Sequence, residues 1–97
     1  MKIKNVFTEP EVEILQQFLE IYKASGFSVL NKELNDSLVN SSLTKLKNLT
    51  SLTFFTKQEY TVMYMALDYA KSNQDRLGIV LHGKVHQLIS KLCTLAL

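Results

Sequence analysis

The histidines and the single cysteine are the side chains of this chain that could most readily do chemistry. His82 and His86 are four residues apart, so on one helix they would share a face about 6 Å apart along the axis, a spacing that can hold a metal ion. A third ligand is missing, because Cys93 lies seven residues beyond His86, about 10 Å along a helix. The same distance argues against a cysteine–histidine nucleophile pair, which needs hydrogen-bond contact. We therefore predict no metal site and no cofactor, and interpret the histidines as surface or boundary residues.

No other arrangement of residues favours catalysis. Glu9, Glu11 and Glu13 crowd one predicted helix start, where carboxylates interact favourably with the helix dipole. The sequence contains no recognisable serine–histidine–acid motif and no glycine-rich phosphate loop. We predict that the protein is not an enzyme and has no catalytic residues.

Composition sets the class of protein that these residues can belong to. A chain of 97 residues with 46% hydrophobic content, one cysteine and a net charge of +2 is typical of a single soluble domain, here residues 1–97, without a disulfide framework. The charge gives little attraction to nucleic acid or anionic membranes. No apolar run reaches the roughly 20 residues that span a bilayer, and the N-terminus has no secretory signal pattern. We expect a cytoplasmic protein with no membrane association.

A helix-start pattern occurs twice, at residues 7–11 and 55–59, with 48 positions between the copies. In each copy a threonine can cap the first turn, and a glutamate three residues later can reach back to it. The phenylalanine ahead of the threonine can pack on the residue at the end of the first turn. The pattern predicts helices over 9–25 and 57–72.

Two further helices are predicted from leucine spacing. The first covers 28–50, but its apolar stripe changes face at Asn40-Ser41-Ser42, whose side chains compete for backbone hydrogen bonds, so we expect a break or kink there. The second covers 76–96, with a start as late as Lys84 because Gly78 and Gly83 disfavour helix.

The two later helices also resemble each other, at a spacing of 46, in Val39 and Val85, Lys45 and Lys91, Leu46 and Leu92, and Leu49 and Leu95. We therefore predict an all-α domain of two tandem helical hairpins, 7–50 and 55–97, packed as a four-helix bundle. Because leucine-rich helices resemble one another by composition, both duplication and convergence explain the likeness.

The predicted third helix is apolar nearly all round, unlike the first. Where the first helix has Gln16 and Gln17, the third has Tyr64 and Met65. Either this helix lies at the centre of the bundle, or these two side chains cover a partner or a second copy of the chain, since tyrosine and methionine are enriched in such contacts. The predicted interface comprises six residues of this helix: Tyr64, Met65, Thr61, Asp68, Val62 and Tyr69.

We expect a non-enzymatic protein-interaction module that forms a homodimer and can also bind another protein, in the manner of small bacterial or phage regulators and adaptors. One alternative is a nucleic-acid-binding regulator using Lys84, Lys91, Lys45 and Lys47, but so few charges make a poor electrostatic footprint. Another is a cytoplasmic immunity-type protein, a class that often consists of small helical bundles.

Overall fold

Five helices form in the parts of the chain that the structure, a computed structural model, describes, which are residues 6–26, 31–79, 81 and 83–96. In chain order they are α1 (Glu9–Ser25), α2 (Lys32–Lys47), α3 (Lys57–Ser72), α4 (Gln74–Leu77) and α5 (Gly83–Leu95). None of these helices, within the described ranges, is long and apolar enough to span a bilayer.

Both predicted helix starts are confirmed. The Thr8 amide donates to Glu11 Oε1 at 2.8 Å and the Glu11 amide donates back to Thr8 Oγ1 at 3.4 Å. The same reciprocal pair joins Thr56 and Glu59 at 2.8 and 3.1 Å. Each pair satisfies two backbone amides that would otherwise lack a partner at a helix start. The capping pattern thus sets where α1 and α3 begin.

Helix α3 lies at the centre of the packed helices. It contacts α1, α2, α4 and α5, whereas α1 contacts α2, α3 and α5. The core that they enclose contains fully buried side chains from all four long helices, among them Leu15, Leu19, Val39, Met63, Leu67, Val85, Leu88 and Leu92. The apolar circumference of α3 therefore follows in large part from its position inside the subunit.

The predicted break in α2 is wrong, because the helix runs unbroken from Lys32 to Lys47. Two of the polar side chains that were expected to compete for its backbone are instead bonded to other helices. Lys23 Nζ donates to Asn40 Oδ1 at 2.8 Å, and Ser41 Oγ donates to Glu59 Oε2 at 2.5 Å. These contacts leave the backbone hydrogen bonds of α2 intact.

The buried face of α2 includes two polar residues, Asn35 and Ser42. Asn35 Oδ1 accepts a hydrogen bond from the buried Tyr22 hydroxyl at 3.0 Å, which satisfies both groups. The leucine at position 34, by contrast, is 46% exposed. The apolar stripe of α2 changes direction in the sequence because its continuous buried face includes the polar residues Asn35 and Ser42.

Replacement of Ser42 by alanine is expected to raise the free energy of unfolding by about 1 kcal/mol. Ser42 Oγ is buried and has no hydrogen-bond partner among the described residues, and an unpaired buried hydroxyl costs about 1–3 kcal/mol. Urea unfolding followed by circular dichroism measures the change. Ser41→Ala, which removes the hydroxyl bonded to Glu59, is the control and should lower the stability. A loss of stability in Ser42→Ala would contradict the assignment.

The C-terminal region differs from the single helix predicted over 76–96. A one-turn helix, α4, ends at Gly78, which adopts a left-handed φ of 67°, and the long helix begins at Gly83, one residue before the latest predicted start. The Leu81 amide donates to Gln74 Oε1 at 3.3 Å. The predicted helix is thus divided by the conformation that glycine favours.

Candidate protein-interaction site

Each capping glutamate is also bonded to a lysine on another helix. Glu59 Oε1 accepts from Lys45 Nζ of α2 at 2.6 Å, and Glu11 Oε1 accepts from Lys91 Nζ of α5 at 2.9 Å. The two lysines are equivalent in the sequence repeat, as are the two glutamates. The same device is therefore built twice, and it ties each helix start to a helix from the other half of the sequence.

Three aromatic rings meet beside these ion pairs. Phe7 and Phe55, the equivalent phenylalanines of the repeat, contact each other edge to face at 5.5 Å between ring centroids. Tyr60 packs on both, at 6.1 Å from Phe7 and 5.8 Å from Phe55. Lys91 Nζ lies 5.6 Å from the centre of the Phe7 ring and Lys45 Nζ lies 5.7 Å from that of Phe55, within the range of cation–π attraction.

The two ion pairs differ in burial. The Glu59 side chain is 2% exposed and that of Glu11 is 19% exposed. Burial raises the pKa of the Glu59 carboxyl, but hydrogen bonds from Lys45, Ser41 and the Thr56 amide outweigh burial and hold the pKa below its ordinary value. Burial likewise raises the pKa of Glu11, and the Thr8 and Lys91 bonds lower it overall.

Acidification is expected to destabilise the protein through these two carboxyls. A carboxyl whose pKa is depressed in the folded state contributes stability above its unfolded pKa of about 4.3 and loses it as the pH falls through the folded pKa. The melting temperature should therefore fall between about pH 5 and pH 3, and it should fall less in Glu59→Gln, which keeps the cap and removes the charge. Glu20→Gln, on an exposed position of α1, is the control and should follow the wild type. Equal slopes for all three proteins would contradict the assignment.

The connection between α2 and α3 is held in place by its own hydrogen bonds. Thr50 N–H donates to Thr53 Oγ1 at 2.8 Å, Thr53 N–H donates to Thr50 O at 3.1 Å and Leu52 N–H donates to Thr50 Oγ1 at 3.2 Å. Lys45 Nζ, besides pairing with Glu59, donates to the Phe54 carbonyl at 2.8 Å. This connection, here called the 50–54 loop, is a fixed turn tied to the Lys45–Glu59 pair.

The 50–54 loop exposes two large apolar side chains. Leu52 is 90% exposed and Phe54 is 82% exposed, while the next residue, Phe55, is 3% exposed in the core. The predicted hairpins, 7–50 and 55–97, left this segment between them without a role. The signal was present, because large apolar residues alternate there with serine and threonine in a segment too short to bury them.

An open depression of about 300 Å³ lies between the start of α1 and the end of α2. In the repeat, Val12 of its lining is equivalent to Tyr60, whose ring packs on both phenylalanines of the cluster. Valine has a smaller side chain than tyrosine, and Val12 lines the depression. This depression, here called the α1–α2 hollow, is lined by Phe7, Glu9, Val12, Glu13, Leu46, Lys47 and Leu49.

The structure divides the predicted interface on α3. Val62 is fully buried and Tyr69 is 8% exposed, with its ring centroid 5.9 Å from that of Tyr22 in the core. The subunit's own side chains therefore cover both residues. Tyr64 and Met65 are half-buried and pack against the core, which leaves part of each side chain accessible.

The two polar residues of that predicted interface lie at its margin. Thr61 is half-buried, and its hydroxyl donates to the Lys57 carbonyl one turn earlier at 2.8 Å. Asp68 is exposed. A contact through α3 would accordingly use the half-buried ring and thioether with these two residues at the edge.

Two of the other residues with candidate chemistry, His86 and Cys93, lie on α5. His86 and Cys93 are exposed, and His82 lies outside the described residues. Among the residues that the structure describes, no three histidine, cysteine or acidic side chains come together as they would around a metal ion. Of the lysines considered for nucleic-acid binding, Lys45 and Lys91 are paired with carboxylates, which reduces the charge that they could offer to phosphate.

Comparison with known proteins adds no relative to this picture. The chain matches no protein-family model, no curated protein and no solved structure.

Proposed function

We propose that this chain is a non-enzymatic helical protein-interaction module, and that its binding surface is the 50–54 loop. The observation that carries the proposal is the exposure of Leu52 and Phe54 on a turn fixed by hydrogen bonds. Burying a side chain of either type is worth about 1.5–3 kcal/mol, so a partner that covers both gains substantially. Because the backbone is already held by Lys45 and the Thr50–Thr53 pair, little ordering opposes binding.

The proposal includes self-association as a homodimer. It also includes the arrangement of the chain as two tandem hairpins, 7–50 and 55–97, which is supported by the repeated lysine–glutamate pairs and the Phe7–Phe55 contact. Two surfaces are candidates for the contact between copies. One is the accessible edge of α3 at Tyr64 and Met65, and the other is the 50–54 loop.

A co-purification experiment tests the interaction function. Tagged wild type and Leu52→Asp/Phe54→Asp are expressed beside an untagged copy, and bound proteins are quantified by mass spectrometry. The expected result is that at least one protein bound by the wild type is absent from the double variant. The untagged copy counts as one of these bound proteins. Leu34→Asp, which places a charge on another exposed leucine, is the matched control and should retain it. Identical bound sets for wild type and the double variant would overturn the proposal.

A further inference from the structure

The geometry points to a second copy of this chain as the partner, with Phe54 of each copy seated in the α1–α2 hollow of the other. This inference rests on the proposed function, since it assigns the occupant of the same loop. A reciprocal contact of this kind has two-fold symmetry, in which one patch meets itself. Three features of the described residues carry it: the shape of the hollow, the exposed position of Phe54 and the charges beside both.

Shape is the first feature. Phe7 and Val12 line the α1–α2 hollow. In the second copy of the repeat, the residue equivalent to Val12 is Tyr60. The Tyr60 ring packs against Phe55 of its own half at 5.8 Å between centroids and against Phe7 of the first half at 6.1 Å, distances that aromatic pairs favour. An incoming Phe54 ring would place the same chemistry beside Phe7. The hollow thus fits an aromatic side chain from outside.

The second feature is the position of Phe54, which is held on the outside of its own subunit. Phe54 is 82% exposed and so does not occupy the hollow of its own subunit. Its carbonyl is held by Lys45 at 2.8 Å and the adjoining Phe55 is locked in the core. Turning the loop inward would break the Lys45 contact and displace Phe55 from the core. The exposed ring is therefore available to another molecule.

Charge is the third feature. The residue after each capping threonine is Glu9 in the first copy of the repeat and Lys57 in the second, and both are exposed. Glu9 and Glu13 border the hollow together with one cation, Lys47, so its rim is acidic overall. Lys57 follows the 50–54 loop. Seating the loop in the partner's hollow brings Lys57 towards an acidic rim, and the two-fold axis repeats the pairing.

The area of the contact predicts a weak dimer. At about 150–250 Å² per aromatic side chain, the two Phe54 rings and the walls that they cover bury roughly 600–1,000 Å² in total. Stable interfaces bury about 1,200–2,000 Å². We therefore expect monomer and dimer to exchange with a dissociation constant on the order of micromolar.

Sedimentation velocity over a wide range of protein concentration tests the inference. Wild type should shift from monomer to dimer, and Phe54→Asp should raise the dissociation constant by at least about thirtyfold, the effect of losing a central anchor. Val12→Tyr, which places a ring in the hollow from within, should do the same and remain folded. Leu34→Asp is the control and should still dimerise. Tyr64→Glu/Met65→Glu, whose side chains pack partly on the core, should also dimerise at a temperature where circular dichroism shows it folded.

A charge exchange supplies an independent test. Lys57→Glu alone and Glu9→Lys alone should each weaken the dimer, because each places like charges together at both contacts. An equimolar mixture of the two variants should recover dimer, since both contacts of the mixed pair again join opposite charges. Failure of the mixture to exceed either variant would overturn the proposed pairing.

The outcomes separate this inference from the proposed function. A dimer that is broken by Tyr64→Glu/Met65→Glu and unaffected by Phe54→Asp overturns the loop contact while self-association stands. If the wild type is monomeric but binds a different protein that Leu52→Asp/Phe54→Asp does not bind, a second copy is not the partner and the interaction function stands. A monomer whose Phe54 instead drives binding to phosphatidylglycerol vesicles overturns both.

Discussion

Replacement of Lys45 by methionine is expected to lower the free energy of unfolding by about 3 kcal/mol. Methionine keeps much of the apolar stem of lysine but leaves the Glu59 carboxylate, which is 2% exposed, without its cation. Removing one partner of a buried ion pair costs about 3–5 kcal/mol, and the partial exposure of Lys45, at 33%, places the value at the lower end. The released Phe54 carbonyl adds to the loss.

The repeat provides a matched control for this substitution. Lys91→Met breaks the equivalent pair with Glu11, whose side chain is 19% exposed, and should cost only about 1 kcal/mol because water can solvate the remaining carboxylate. Adding Glu59→Gln to Lys45→Met should restore part of the loss by removing the buried charge. Urea unfolding of the four proteins measures these differences. Equal costs for the two lysine variants would contradict the stated roles of burial.

Replacement by alanine is expected to change the free energy of unfolding strongly at Phe55 and hardly at all at the adjacent Phe54. Phe55→Ala should lower the free energy of unfolding by about 3–4 kcal/mol, since it removes a buried ring that contacts Phe7 and Tyr60 and leaves a cavity. Phe54→Ala should change the stability by less than about 0.5 kcal/mol, because its ring is 82% exposed. Unfolding is measured at a protein concentration low enough to keep the chain monomeric.

This comparison is sensitive to the orientation of the 50–54 loop. A large loss of stability in Phe54→Ala, or a small one in Phe55→Ala, would show that the loop presents the other ring to solvent. Leu67→Ala, at a fully buried position of α3, calibrates the cost of a core truncation and should be of similar size to that of Phe55→Ala.

Local hydrogen-bonding patterns made part of the fold predictable from sequence. The capping boxes at Thr8 and Thr56 depend on residues three apart, so the starts of α1 and α3 could be assigned correctly. The continuity of α2 could not, because it depends on distant partners. Asn40 and Ser41 were read as competitors for the local backbone, and only the fold brings Lys23 and Glu59 to them.

The candidate site was harder to predict for a related physical reason. The pattern of apolar residues shows that a helix face must be covered. It does not show whether another helix of the same subunit or a partner covers it. Residues Val62 and Tyr69 satisfied the pattern of an interface and lie in the subunit's core, because α3 packs on several helices at once. Conversely, Leu52 and Phe54 lie between the two predicted hairpins, and only tertiary structure shows that Phe55 is buried in the core while Phe54 is exposed.

Site-specific photo-crosslinking in living cells tests directly whether the 50–54 loop is a binding surface. A photoreactive phenylalanine analogue placed at position 54 should give a covalent adduct heavier than the monomer. The same analogue at position 17, an exposed site on α1, should give little or none. Comparable adducts from both positions, or none from position 54, would contradict the proposed function.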